Sequence, residues 1–89
     1  MTITKQTAAL KLIAYLRHEL SLEQLVDWAE FAMMEGDFDA NQTDALREIV
    51  SRLGLADVKA FGLTWEDCEN FLNKLGYYAN IEISPRDHF

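Results

Sequence analysis

The 89 residues of this chain are enough for one small domain and too few for two. With 49% hydrophobic and 11% aromatic residues, the chain is too apolar to remain disordered. Its net charge of −7 repels phosphate backbones and argues against nucleic acid as the main partner. Apolar stretches are only a few residues long, so we expect neither a membrane span nor a secretory leader, and we predict a cytoplasmic protein.

Apolar residues at helical spacing predict two helices in the first part of the chain. The first runs from about residue 5 to residue 20, and the second covers residues 22–35. Ser21 begins the second helix, because Gln24 follows three residues later in the pattern of a capping box. Since Ser21 alone separates the two predicted helices, a sharp bend or a nearly continuous helix is as consistent with the pattern as a tight hairpin.

Two further helices follow a segment without periodicity. Residues 36–42 combine Gly, Asp and Asn and are predicted to form a loop. The third helix covers about residues 42–53 and is followed by Gly54, for which we expect the left-handed conformation of a helix C-cap. A fourth helix begins after Thr64 and is closed by Gly76.

The apolar period changes from helical spacing to alternation after the fourth helix, which predicts a short C-terminal strand. The backbone of that strand needs a partner. Residues 58–61, residues 2–4 and the same strand of a second copy are the candidates, and the last would make a homodimer. The residues on the dimer side of the strand would be Tyr77, Ala79, Ile81 and Ile83.

The predicted fold class is mostly α, a small single domain of four helices over residues 1–84 with a short C-terminal strand that pairs locally or across a dimer. Residues 85–89 are predicted to be a flexible tail. One cysteine and two histidines cannot supply a structural zinc site. Cys68 falls on the apolar stripe of the fourth helix between two acids, which predicts a packed core thiol and not a nucleophile.

The middle of the chain is acidic, since every residue charged at neutral pH from Glu19 to Leu46 is an acid. Trp28, Phe31 and Met34 fall beside the main apolar stripe of the second helix. Either this helix is central and buried on two sides, or its aromatic residues form an exposed patch with an acidic rim. The second alternative predicts a contact surface made of Asp27, Trp28, Glu30, Phe31, Glu35, Asp37 and Asp39.

A calcium loop is a further alternative for the same acids. Asp37, Asp39, Asn41 and Glu48 occupy positions one, three, five and twelve of such a loop. The sixth position is Gln42, where the sharp turn of the loop requires Gly, and helix capping accounts for the same residue types. We therefore favour no metal and no cofactor.

The chain contains no nucleophile elbow, phosphate loop or dinucleotide fingerprint, so we expect a protein that is not an enzyme. The first hypothesis is an acidic protein-binding module, an inhibitor, immunity-type or antitoxin-type protein that shields a basic partner. The second is a homodimeric structural or regulatory subunit. The segment RHELSLEQLVDWAE also resembles the start of a helix-turn-helix, but its acids are unsuited to reading DNA, so a DNA-binding regulator, like a calcium-binding protein, is a less favoured alternative.

The homodimer hypothesis predicts that Ile81→Pro converts a dimer into a monomer, because proline removes one backbone donor from the strand ladder. Light scattering gives the mass in solution of the wild-type protein and of the variant. A wild-type protein that is already monomeric would contradict the hypothesis.

Overall fold

A computed structural model of the protein describes residues 2–40, 43–58 and 62–78. Within these ranges the chain is mostly helical, which confirms the predicted fold class and all four predicted helices. The elements in chain order are β1 (Thr2–Ile3), α1 (Lys5–Leu16), α2 (Leu22–Glu35), β2 (Asp37–Phe38), α3 (Thr43–Leu53) and α4 (Trp65–Lys74). None of these helices is both long and apolar enough to cross a membrane.

The starts of α2 and α4 are the predicted ones, because each is fixed by a local capping box. The Ser21 hydroxyl accepts a hydrogen bond from the Gln24 N–H at 3.1 Å, and the Gln24 side chain accepts one from the Ser21 N–H at 2.9 Å. Thr64 and Asp67 exchange the same pair of bonds at 3.0 and 3.1 Å. A cap of this kind stabilises a helix by about 1 kcal/mol.

The connection between α1 and α2 is longer than predicted, since α1 ends at Leu16 and residues 17–21 form a turn. His18 adopts a φ of 63°, in the left-handed region. The N–H of Glu19 then donates to the carbonyl of Ala14 at 2.9 Å, which closes the end of the helix. A non-glycine residue therefore makes the reversal, and the nearly continuous helix is excluded.

A parallel strand pair joins the start of the chain to the end of α2. Thr2 pairs with Asp37 and Ile3 with Phe38, and the Asp39 N–H donates to the Ile3 carbonyl at 2.9 Å. The prediction that residues 36–42 form a loop is therefore wrong at β2. Strands of two residues have too little alternation to be recognised in a sequence.

The predicted left-handed cap at Gly54 is wrong. Among the described residues the glycines with positive φ are Gly62 and Gly76, and Gly54 is not one of them. The Gly54 N–H donates to the Val50 carbonyl at 3.1 Å as in a helix, and the Leu55 N–H then donates to the Arg52 carbonyl at 3.1 Å in a tighter turn. The tight turns that follow α3, over residues 54–58, therefore contain no residue with a positive φ.

The end of α4 has the predicted left-handed glycine, because Gly76 has a φ of 91°. The Tyr77 N–H donates to the Leu72 carbonyl at 2.8 Å, and the Gly76 N–H donates to the Asn73 carbonyl at 3.0 Å. Tyr77 consequently closes a helix and is not in a strand. Ala79, Ile81 and Ile83 lie outside the described residues, as does the tail 85–89, so the strand beyond Tyr78 stays a prediction.

A hydrophobic core connects all four helices and β1. No polar or charged residue of the described ranges is buried in it. Burying one large aliphatic side chain contributes roughly 1.5–3 kcal/mol. The largest fully buried side chains of the core are Ile3, Leu12, Leu25, Leu46, Ile49 and Leu53.

Gly36 connects α2 to β2 where no side chain fits. A Cβ at this position would stand 2.6 Å from the Ala32 carbonyl oxygen and 2.8 Å from Cγ1 of the buried Ile3. Its φ of −81° is available to any residue. Space, and not backbone conformation, therefore requires glycine here.

We expect Gly36→Ala to lower the free energy of unfolding by about 1–3 kcal/mol, because the added methyl group must displace Ile3 or the end of α2. Gly54→Ala is the matched control, since its Cβ would meet no atom closer than 3.4 Å. Urea denaturation of both variants measures the difference. If Gly36→Ala proves as stable as Gly54→Ala, the close approach of Ile3 does not constrain the fold.

Candidate interaction surface

The solvent side of α2 carries two apolar side chains among acids. Asp27, Glu30, Phe31 and Met34 stand at positions i, i+3, i+4 and i+7, so they share one face of the helix. Phe31 is 50% exposed and Met34 is 75% exposed, and both acids are exposed as well. We call these four residues the α2 outer face.

The structure separates Trp28 from the rest of the predicted patch. Trp28 is half-buried, packs against the core, and lies under the Lys11 ammonium, whose nitrogen is 5.8 Å from the centre of the indole ring. Phe31, one turn further along, is left in solvent. Burial against the core, the first alternative for this helix, therefore describes Trp28. Exposure, the second alternative, describes Phe31.

The remaining residues of the predicted surface extend beyond α2. Glu35 at the end of the helix and Asp37 in β2 are exposed. Asp39 is half-buried and is engaged in a further polar interaction within the protein. Acidic groups therefore continue from the α2 outer face as far as Asp37, whereas Asp39 belongs partly to the fold.

The acids of this region are not neutralised by neighbouring cations. Asp27, Glu30, Glu35 and Asp37 form no ion pair with any residue in the described ranges. Their charges add to the net charge of −7 and create a negative potential around the α2 outer face.

A groove of about 360 Å³ adjoins this face and runs between α2 and the end of α3. Glu30 and Met34 belong both to the groove and to the α2 outer face. The groove is lined by Glu30, Met33, Met34, Ser51, Gly54 and Leu55. Sequence reasoning missed it because Met33 lies on the apolar stripe of α2, Leu55 follows α3, and only the packing of these helices brings the two together.

Among the described residues, the predicted calcium ligands do not form a cluster. Asp37 is exposed in β2, while the Glu48 carboxylate lies on α3, 4.0 Å from the Lys74 ammonium. Asn41 lies outside the described residues. Within the described ranges no three side chains among His, Cys, Asp and Glu come close enough together to hold a metal ion. Nothing in the described geometry therefore supports the calcium alternative.

Cys68 is a buried core thiol, as its place on the apolar stripe predicts, with an exposed fraction of 1%. Burial, together with the neighbouring Asp67 carboxylate, raises the pKa of the thiol to about 11. The pKa of Asp67 itself is lowered, chiefly because its carboxylate accepts the hydrogen bond from the Thr64 N–H. The thiolate is the nucleophilic form of cysteine, so Cys68 is protonated and unreactive at neutral pH.

No family model, no curated protein sequence and no solved structure matches this chain.

The raised pKa of Cys68 makes stability depend on alkaline pH. The thiol ionises at 9.0 in its ordinary state and at about 11 in the folded protein. Between these values the unfolded chain binds fewer protons, so the free energy of unfolding falls with rising pH by up to roughly 1.4 kcal/mol per pH unit. Below this window both states keep the proton and Cys68 contributes no pH dependence.

We expect Cys68→Ala to remove this component of the alkaline decline in stability. Urea denaturation of both proteins at several pH values across the window gives the two slopes. Equal slopes would mean that Cys68 titrates alike in the folded and unfolded chains.

Proposed function

We propose that the protein is a non-enzymatic protein-binding module whose α2 outer face docks on a basic surface of a partner and shields it, as an inhibitor, immunity-type or antitoxin-type protein does. One observation carries the proposal: Phe31 and Met34 are exposed on the same helix face as Asp27 and Glu30. The solvent side of a helix in a small domain normally carries polar residues. Phenylalanine and methionine are instead enriched in the cores of protein interfaces.

The apolar and acidic residues of this face have different parts in the proposed contact. Burying the aromatic ring of Phe31 and the thioether of Met34 supplies affinity, because apolar surface leaves water. The carboxylates of Asp27 and Glu30 attract a basic partner over a distance of about one Debye length, which accelerates encounter and favours the correct orientation. Glu35 and Asp37 extend the same attraction past the end of α2.

The fold holds this face in one orientation. The opposite side of α2 is buried in the core through Leu25, Val26, Ala29 and Ala32. The exposed anchors therefore stand on a helix that is already ordered, and less conformational entropy is lost on binding than with a flexible segment.

Reversing charge at Asp27→Lys and Glu30→Lys together is expected to slow association with a basic partner by about tenfold or more at low salt and to flatten its salt dependence. The partner is first captured from the native host lysate with the tagged protein, eluted with salt and identified by mass. Association rates of the purified pair are then measured over a range of salt concentrations.

The matched control reverses two exposed acids elsewhere, Glu19→Lys and Glu66→Lys, and changes the net charge by the same amount. This control retains most of the association rate if attraction is centred on α2. If both double variants behave alike, net charge and not the α2 outer face directs binding, and the proposal fails. Thermal unfolding of each variant shows that the fold is intact.

We retain the homodimeric subunit as a second proposal, supported by Tyr78. Its ring is 92% exposed at the point where the predicted C-terminal strand begins. Beside it lies a cleft of about 320 Å³ between α1 and α4, whose lining includes Ile13, Leu16 and Trp65. The mass in solution tests this proposal through the Ile81→Pro comparison described above.

A further inference from the structure

The groove between α2 and α3 has an unusual combination of lining groups. Met33, Met34 and Leu55 make it apolar, and Leu55 is 40% exposed within it. Glu30 is the charged residue of its lining. Arg47, one helical turn before Ser51 on α3, is held with its guanidinium 4.7 Å from the centre of the Phe38 ring. The charge presented at the groove is therefore negative.

Gly54 keeps this groove open. Its φ is not in the left-handed region, so the backbone does not require glycine. A Cβ would meet only ordinary contacts, the Ser51 carbonyl oxygen at 3.4 Å and Cγ of Glu30 at 3.7 Å. Because Glu30 and Ser51 both line the groove, a side chain at position 54 would occupy it. Glycine at the end of a helix loses more conformational entropy on folding than alanine does. A single methyl group would fit at position 54 with ordinary contacts, whereas a large side chain there would fill the groove.

The two methionines allow the groove to accept apolar side chains of different shapes. Methionine is unbranched and polarisable, and methionine-lined grooves repack around different apolar groups. Asp27 lies one turn before Glu30 on the same helix face. A segment that fills the groove therefore meets the carboxylate of Glu30 and, one helical turn away, that of Asp27. Lysine or arginine side chains one turn apart on a partner helix have the same spacing.

We propose that the groove takes up one large apolar side chain of a basic amphipathic helix, whose lysine or arginine side chains pair with Glu30 and Asp27. This inference rests on the proposed function and specifies the partner segment that the α2 outer face recognises. The apolar side chain replaces water against Met33, Met34 and Leu55, while the cations meet acids that have no ion-pair partner in the described ranges.

Synthetic helical peptides test the inference without the natural partner. One peptide carries lysines with leucines at i, i+3, i+4 and i+7, a second replaces the leucines by glutamines, and a third replaces the lysines of the first by glutamates. We expect the leucine–lysine peptide to bind about tenfold more tightly than the glutamine–lysine peptide, and the acidic peptide to bind least. Fluorescence anisotropy of labelled peptides measures the three affinities.

Methyl NMR locates the binding site, because the chain has only three methionines. The leucine–lysine peptide is expected to shift the methyl signals of Met33 and Met34, which Met33→Leu and Met34→Leu variants assign. The glutamine–lysine peptide is expected to shift backbone amides of α2 with little change in these two methyl signals.

Gly54→Phe is designed to fill the groove and to abolish the advantage of the leucine–lysine peptide, while the glutamine–lysine peptide still binds. Gly54→Ala, whose Cβ meets no short contact, is the control and keeps most of that advantage. If Gly54→Phe does not fold, Met34→Ser serves instead, because Met34 is 75% exposed. Leu10→Ser, at a 56% exposed leucine on α1 outside the groove lining, is then its control.

The outcomes separate the two proposals. Equal binding of the leucine–lysine and glutamine–lysine peptides, with the signals of Met33 and Met34 unmoved, overturns the groove inference and leaves docking on a basic surface intact. Binding of the acidic leucine peptide as tightly as its lysine counterpart overturns the basic character of the segment. Failure of both lysine peptides to bind overturns the groove inference and counts against the proposed function as well.

Discussion

The packing of α2 against α3 is the contact on which the rest of the structure depends. Ala29 and Ala32 are fully buried on the inner side of α2, and α3 is the helix that α2 contacts most extensively. Once that side is buried, the opposite side of α2 must face solvent, and Phe31 is carried outward with it. The same contact sets Met33 beside Gly54. The core and the candidate interaction surface are therefore two consequences of one helix pair.

Three smaller contacts hold the ends of α2 in place. At its start, the Ser21 capping box satisfies backbone donors that would otherwise be unpaired. At its end, Ile3 fills the space beside Gly36, and the Arg47 guanidinium covers the Phe38 ring of β2. Contacts at both ends therefore hold α2, and Asp37 just beyond it, in place relative to the core.

Sequence reasoning succeeds here where the physical cause is local. The limits of α2 follow from Ser21, Gln24 and helical periodicity, all within one short segment. Gly54 is the instructive failure, because a glycine after a helix satisfies the pattern of a left-handed cap whether or not the backbone turns there. The division between Trp28 and Phe31 depends on the placement of α1, and the groove on the placement of α3. Packing between helices that are distant in sequence decides these features, and the apolar periodicity of one helix does not show which helix packs against it.

The pairing of β1 with β2 also governs the order in which the chain can fold during synthesis. Ile3 is synthesised before its partner Phe38, which follows 35 residues later, a delay of roughly 2–7 s at ordinary elongation rates. Contacts within and between neighbouring helices need only short loop closures, so we expect α1 and α2 to associate first. Ile3 lacks this strand partner throughout that interval. The strand that fixes the end of α2 is therefore made before α2 and can pair only once α2 is complete.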